Sequence, residues 1–234
     1  MKSKFYCVLL LSVANVSCVA SSKKYETFDI HFVVITPNPL AHSTVKLAQL
    51  KNEVDILNTY FVKEDRSPII KFNFKSASFY NEIQNSSCSF VALNNGNRVY
   101  NADIWARHFN LCNDPKVRDP HAINFYVFDS YTLKQGFKNR DGHGKRNGNR
   151  PFLLLDWERL NHNVQAPEEH EMGHAFGLNH VCALGAKPDS STNIMASSCK
   201  GGSTGKRDIG FNDEQVKKIM HYVPLIKEKL AVKK

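Results

Sequence analysis

Residues 170–180 read HEMGHAFGLNH, and no other stretch restricts the backbone so tightly. In a helix, His170 and His174 stand one turn apart on one face. Gly177 can adopt the left-handed conformation that closes a helix and turns the chain away from its axis. Beyond that bend His180 can return towards the other two imidazoles. Three neutral imidazoles with a fourth position left open suit a catalytic zinc site rather than a closed structural one. Glu171 projects about 100° round the helix from His170. That sets it beside the ligands rather than among them, where it can act as a base on water. A His-x-x-x-His pair alone is commonplace on amphipathic helices, and Glu is a common helix residue. The offsets of Gly177 and His180 separate this stretch from a chance pair.

The N-terminus has Lys2 and Lys4, then the apolar run FYCVLLLSVANVSCVA with Ala20 at a plausible cut point, and reads as an export signal over residues 1–20. Ser12, Asn15 and Ser17 dilute the run, which argues against a transmembrane anchor. Asn15 also stands where a lipoprotein signal ending at Cys18 needs an aliphatic residue. A secreted or periplasmic product is expected. Cleavage removes Lys2 and Lys4, so the net charge falls from +9 to +7. It leaves Cys88, Cys112, Cys182 and Cys199, which suggest two disulfides in an exported chain. Local pairing of Cys88 with Cys112 and Cys182 with Cys199 is the simplest scheme. The alternative ties Cys182 to Cys88 or Cys112.

At 234 residues and 42% hydrophobic content, with only 12 Gly and 9 Pro, the chain is neither disordered nor fibrous, and residues 21–234 suit one domain. Export argues against a nucleic-acid partner. So does the basic stretch GHGKRNGNR at residues 142–150, which has no interleaved aromatics for base stacking. It reads as a solvated loop, with recognition of acidic substrate residues or an anionic surface as its functional alternative.

Residues 28–36 form an expected strand, broken by Pro37 and Pro39. Residues 42–60 carry helix periodicity through Val45, Leu47, Leu50, Val54, Ile56 and Leu57. A second strand is expected over 68–74, giving a strand–helix–strand opening of a mostly parallel sheet. Residues 76–118 read as a disulfide-pinned excursion around Trp105, and 123–128 as a strand. Residues 131–150 read as a loop with a weak edge strand near 132–137, and 152–155 as a buried strand. The HEMGH helix should start near Ala166–Pro167. The last helix should open at Asn212, with Gln215 as capping-box partner, bury Val216, Ile219 and Met220, and end or kink at Pro224. His31, His121, His143 and His221 read as structural or solvent-exposed. Asn85-Ser86-Ser87 is a glycosylation sequon.

The stretch 170–180 resembles the metzincin zinc-endopeptidase signature His-Glu-x-x-His-x-x-Gly-x-x-His, with every defining position present. Ser191–Ala196, STNIMA, is similar to that family's methionine turn, with Met195 as the methionine fifteen residues after His180. There it would pack as a soft apolar floor beneath the ligands. The likeness is strong over 165–200 and a matter of pattern over 28–156. INFYVF, ahead of a glycine-containing stretch, is similar to the pappalysin branch. Asn193-Ile194-Met195-Ala196 equally resembles adamalysin- and matrixin-like members, so the branch stays open. Ser197 stands where some members place a tyrosine. The segment SSKKYET is too short for a long zinc-blocking propeptide, and Glu26 is its one strong ligand.

The resemblance implies an α/β (α+β) fold: a twisted five-stranded, mostly parallel sheet with one antiparallel edge strand, and an active-site helix. An upper part would span about 21–177. A small C-terminal subdomain over about 178–234 would hold the methionine turn and end in a helix. It implies a secreted, monomeric zinc metalloendopeptidase, with one Zn2+ on His170, His174 and His180. Glu171 would take the proton of the attacking water and pass it to the leaving amine. A peptide or protein substrate would lie extended along the edge strand. The competing readings are a zinc amidase of the same fold and a silent binding protein that keeps the zinc site.

Overall fold

The computed structural model describes residues 25–84, 87–88, 102–128, 142–161 and 168–231. The strands are β1 (Thr27–Ile35), β2 (Lys71–Tyr80), β3 (Ile123–Phe128), β4 (Gly142–Lys145) and β5 (Phe152–Asp156), followed by the short β6 (Val181–Cys182) and β7 (Ala196–Ser197). The first five make one sheet in the order β2-β1-β3-β5-β4, parallel except that β4 runs antiparallel along β5. β3 and β5 are buried at every position, which is why INFYVF and FLLLD are mostly apolar without alternation, apart from Asn124 and Asp156.

Side chains of β1 alternate between two cores. Phe32 and Val34 join Leu50, Val54 and Leu57 of the helix α2 (Leu47–Tyr60) on one face. Val33 and Ile35 join Trp105 and Phe109 of α3 (Ala102–Leu111) on the other. The disulfide Cys88–Cys112 closes this second core at the end of α3. The excursion between β2 and β3 thus contributes a helix that covers the sheet.

Several boundaries differ from the sequence expectation for identifiable reasons. The helix expected over 42–60 is two helices. Asn38 caps α1 (Pro39–Thr44) by accepting from the Leu40 amide, Pro39 presets its first turn, and the chain restarts at Leu47. Leu47, expected inside, is exposed at the start of α2. β2 runs on to Tyr80 because β1 pairs with it throughout, with one register shift at Ile30/His31. The segment 132–137 lies outside the described residues, as do 1–24, Asn85 and Ser86. The described edge strand is β4, within the stretch that reads as a loop.

The last helix, α5 (Asp213–Ala231), opens on a reciprocal capping box. The Asn212 amide donates to Gln215 Oε1, and the Gln215 amide donates to Asn212 Oδ1. The helix does not end at Pro224. Val223 and Ile226 are buried on either side of it, and their packing carries the helix through. Met220, expected inside, is exposed, and the inward face is Gln215, Ile219, Val223 and Ile226. Among the described residues no helix is long and apolar enough to cross a membrane.

Candidate metal centre

The site is built on α4 (Glu168–Ala175), which lies under the sheet with Met172 and Ala175 in the core. The helix ends in a Schellman motif. The Leu178 amide donates to the Gly173 carbonyl and the Gly177 amide to the His174 carbonyl, with Gly177 at φ 83°. A Cβ at Gly177 would also lie 2.6 Å from the Tyr222 ring of α5, so conformation and space both require glycine. This bend returns the chain so that His180 faces the helix.

The Nε2 atoms of His170, His174 and His180 converge, separated by 3.1, 3.1 and 3.0 Å. Nδ1 of His170 donates to the Ile194 carbonyl and Nδ1 of His174 to the Leu178 carbonyl, each at 2.8 Å. A carbonyl oxygen only accepts, so the proton of each neutral ring sits on Nδ1 and Nε2 presents a lone pair. Such lone pairs repel one another, and a cation between them removes the conflict. Tetrahedral zinc with bonds of about 2.0–2.1 Å spaces its ligands roughly 3.3 Å apart, close to the separations found here. Burial, with the Arg207 charge adding to it, pushes His170 down to about 3. Burial likewise pushes His174 down to about 4. Both rings therefore stay neutral at ordinary pH, the form that can ligate a metal.

His180 is held from the other side. The Val181 amide donates to the Met195 carbonyl at 2.8 Å, and β6 pairs in parallel with β7. The disulfide Cys182–Cys199 closes the same segment. Met195 is fully buried, and a Cβ on Gly173 would lie 2.4 Å from its sulfur, so the turn sits directly against the helix that carries the histidines. Asn193 shapes the turn by accepting from the Met195 amide. It also exchanges side-chain amide hydrogen bonds with Gln215, both at 2.9 Å. One glutamine thus caps α5 and braces the methionine turn.

Glu171 is buried, and burial raises its carboxyl to about 7 against the opposing pull of the Gly144 amide and the Arg207 charge. Its Oε2 accepts from the Gly144 amide of β4 at 2.7 Å. A cleft of about 410 Å³ opens here, lined by β4, Arg146, Glu171, His174 and residues 177–180. A buried carboxyl with a raised pKa, a cluster of neutral imidazoles and a sheet edge therefore share one open cleft, which is equipment for metal-assisted hydrolysis.

No protein-family model matches the chain, and no curated protein matches it. Among solved structures, a chain described as "Structure of a chaperone-substrate complex" is 12% identical at a TM-score of 0.43, covering 88% of this chain and 35% of that one. The present chain thus spans about a third of that chain's length, and this degree of likeness carries neither fold nor function across.

The structure brings together His170, His174, His180, Glu171 and Met195, and it forms both local disulfides. His143, expected on an exposed loop, is a half-buried residue of β4 with its ring 5.2 Å from Trp105. His31 is buried between Ser76 and the Lys116 carbonyl, away from the site. His121 bonds the Leu230 carbonyl, and His221 meets Tyr222 edge-on. Sequence reasoning did not find Gly144, Gly173 or Arg207. Arg207 donates Nε to the Ala196 carbonyl behind the methionine turn, and its charge reaches all three histidines. The two glycines carried no local signal beyond looking like a loop and a helix interruption.

Proposed function

We propose that the chain is a metzincin-like zinc endopeptidase, exported through residues 1–20 and working as a monomeric catalytic unit over residues 21–234. The observation that carries this reading is the convergence of the three Nε2 atoms beside a buried carboxyl that is tied to a sheet edge. His170, His174 and His180 would hold one zinc ion, which supplies Lewis acidity for acidifying water and polarising a carbonyl. Glu171 accepts the proton of the attacking water and delivers it to the leaving amine nitrogen. The Gly144 amide keeps the carboxylate aimed while it does so. The peptide pairs along β4, whose partner on one side is β5. Met195 and Gly173 fix the height of the histidines from below, and the Cys182–Cys199 disulfide holds the wall beneath the cleft.

The test is metal analysis of the purified protein followed by digestion of a mixed peptide library with and without chelator. One zinc per chain and chelator-sensitive peptide cleavage support the reading. Absence of stoichiometric zinc under non-chelating conditions overturns it. A zinc-loaded protein that cuts only non-peptide amides moves the assignment to an amidase.

A further inference from the structure

The cleft over the histidines has an uneven charge. Its lining includes the cations Lys145 and Arg146 and one carboxylate, Glu171, which is buried and already held by the Gly144 amide. Lys145 is half-buried and forms no ion pair among the described residues. The Arg146 guanidinium lies 4.5 Å from the centre of the Tyr222 ring and donates to Asn149 Oδ1 at 2.6 Å, contacts that fix it without cancelling its charge. From below, Arg207 is anchored on the Ala196 carbonyl, and its field reaches Glu171 and the three histidines. Positive charge therefore flanks the reacting position from the edge strand above and from the methionine turn beneath. A partly enclosed cleft of one sign draws in ligands of the other and turns like charges away.

Lys145 holds the most informative place. It follows Gly144, the residue whose amide holds Glu171, so it stands one step along the edge strand from the base. A peptide paired with β4 passes its side chains near Lys145 within a residue or two of the bond that Glu171 serves. We propose that this cleft selects peptides that carry an aspartate or glutamate beside the scissile bond, with Lys145 as the cation that receives the carboxylate. The proposal rests on the endopeptidase reading above and names its substrate class.

The experiment uses peptide pairs that differ only by Asp against Asn at each position flanking the cleaved bond. It measures kcat/KM on the wild-type protein, and equilibrium binding to Glu171→Gln by fluorescence anisotropy. The acidic member should win by about tenfold in both readouts at low ionic strength, and the advantage should shrink in high salt. Lys145→Gln should remove most of the difference, and Lys145→Glu should shift preference to a lysine-bearing peptide. Equal rates and affinities for acidic and amide peptides overturn the proposal, as does an acidic preference that survives both substitutions. If no peptide is cleaved but Glu171→Gln still binds the acidic member selectively, and Lys145→Gln in that background abolishes the selectivity, the endopeptidase reading fails while carboxylate recognition stands.

Discussion

Gly144 and Glu171 meet at two points. The Gly144 amide donates to Glu171 Oε2 at 2.7 Å, and a Cβ on Gly144 would lie 1.6 Å from the Glu171 carbonyl oxygen. The edge strand therefore approaches the backbone of α4 as closely as a chain can, and only glycine permits it. Gly144→Ala must push strand and helix apart. It should cost about 1–3 kcal/mol of stability and lower kcat/KM about a hundredfold or more through misplacement of the carboxylate. Thermal melting together with kinetics at full zinc occupancy checks both. Near wild-type activity in a well-folded Gly144→Ala protein would show that this contact does not aim the base.

Glu171→Gln separates chemistry from architecture. The amide oxygen of glutamine can still accept from Gly144, so the edge strand stays in place, but the side chain no longer takes up a proton. Zinc content should match wild type, the melting temperature should not fall, and turnover should drop by about 10²–10⁴-fold. Peptide hydrolysis that persists in this variant removes Glu171 from the role of base.

The parts of this molecule legible in the sequence are those whose cause is local. His170, His174, Gly177 and His180 declare a helix, its stop and a return because periodicity and a glycine cap act over a few residues. INFYVF and FLLL declare buried strands because burial on both faces leaves almost no polar position, Asn124 being the exception and held by the Asp119 backbone. The capping box of Asn212 and Gln215 was legible for the same reason. GHGK was not, because its two glycines are required by α4, a partner remote in sequence. Nor could the sequence show that Gln215, already explained as a cap, also grips Asn193 of the methionine turn. The interruption at Val45–Lys46 and the exposed Met220 were missed because apolar periodicity does not say which half of a broad stripe the core will take.

Met195 fills the space that Gly173 leaves open, so the two positions should be energetically coupled. Met195→Ala empties a fully buried site and should cost about 2–5 kcal/mol. Gly173→Ala pushes a Cβ to 2.4 Å from the sulfur and should cost about 1–3 kcal/mol. The double variant should be less destabilised than the two losses added together, because the new methyl group enters the space vacated by the methionine. Urea denaturation of the four proteins gives the coupling term. Strict additivity would mean that the turn and the helix do not share this packing.

Loss of the Cys182–Cys199 bond should act on stability and on zinc together. The bond spans 17 residues that include the methionine turn, a constraint of about 3 kcal/mol in the chain-entropy account. It ties β6 to the chain just beyond β7, and these two strands set the position of His180 through Val181 and Met195. A Cys182→Ser/Cys199→Ser protein should melt earlier and release zinc to a competing chelator faster than wild type. Loss of the Cys88–Cys112 bond, which lies in the core on the opposite face of the sheet, should lower melting without that change in zinc release. Identical zinc-release rates in the two double variants would contradict the link between the lower disulfide and His180.

Glu53 provides a pH-dependent test of the packing beneath the site. It is buried on α2, where Oε1 accepts from Gln49 Nε2 at 2.5 Å and Oε2 has no hydrogen-bond partner among the described residues. Burial raises its carboxyl from 4.5 to about 7, with the Gln49 hydrogen bond opposing, and its field raises the buried carboxyls of Glu168 and Glu169 further. Because the folded value lies above the unfolded one, this group's favourable contribution is complete below about pH 4.5 and is lost as pH rises through about 7. Glu53→Gln keeps an acceptor for Gln49 and carries no ionisable proton, so it avoids that loss. The variant should match wild type at about pH 4.5, gain on it through the interval, and level off above about pH 7 with an advantage of about 1–3 kcal/mol. Paired denaturation curves across that range read the difference, which includes the release of Glu168 and Glu169 from the Glu53 charge. A constant offset between the two proteins at all pH values would mean that the Glu53 carboxyl titrates alike in the folded and unfolded chain.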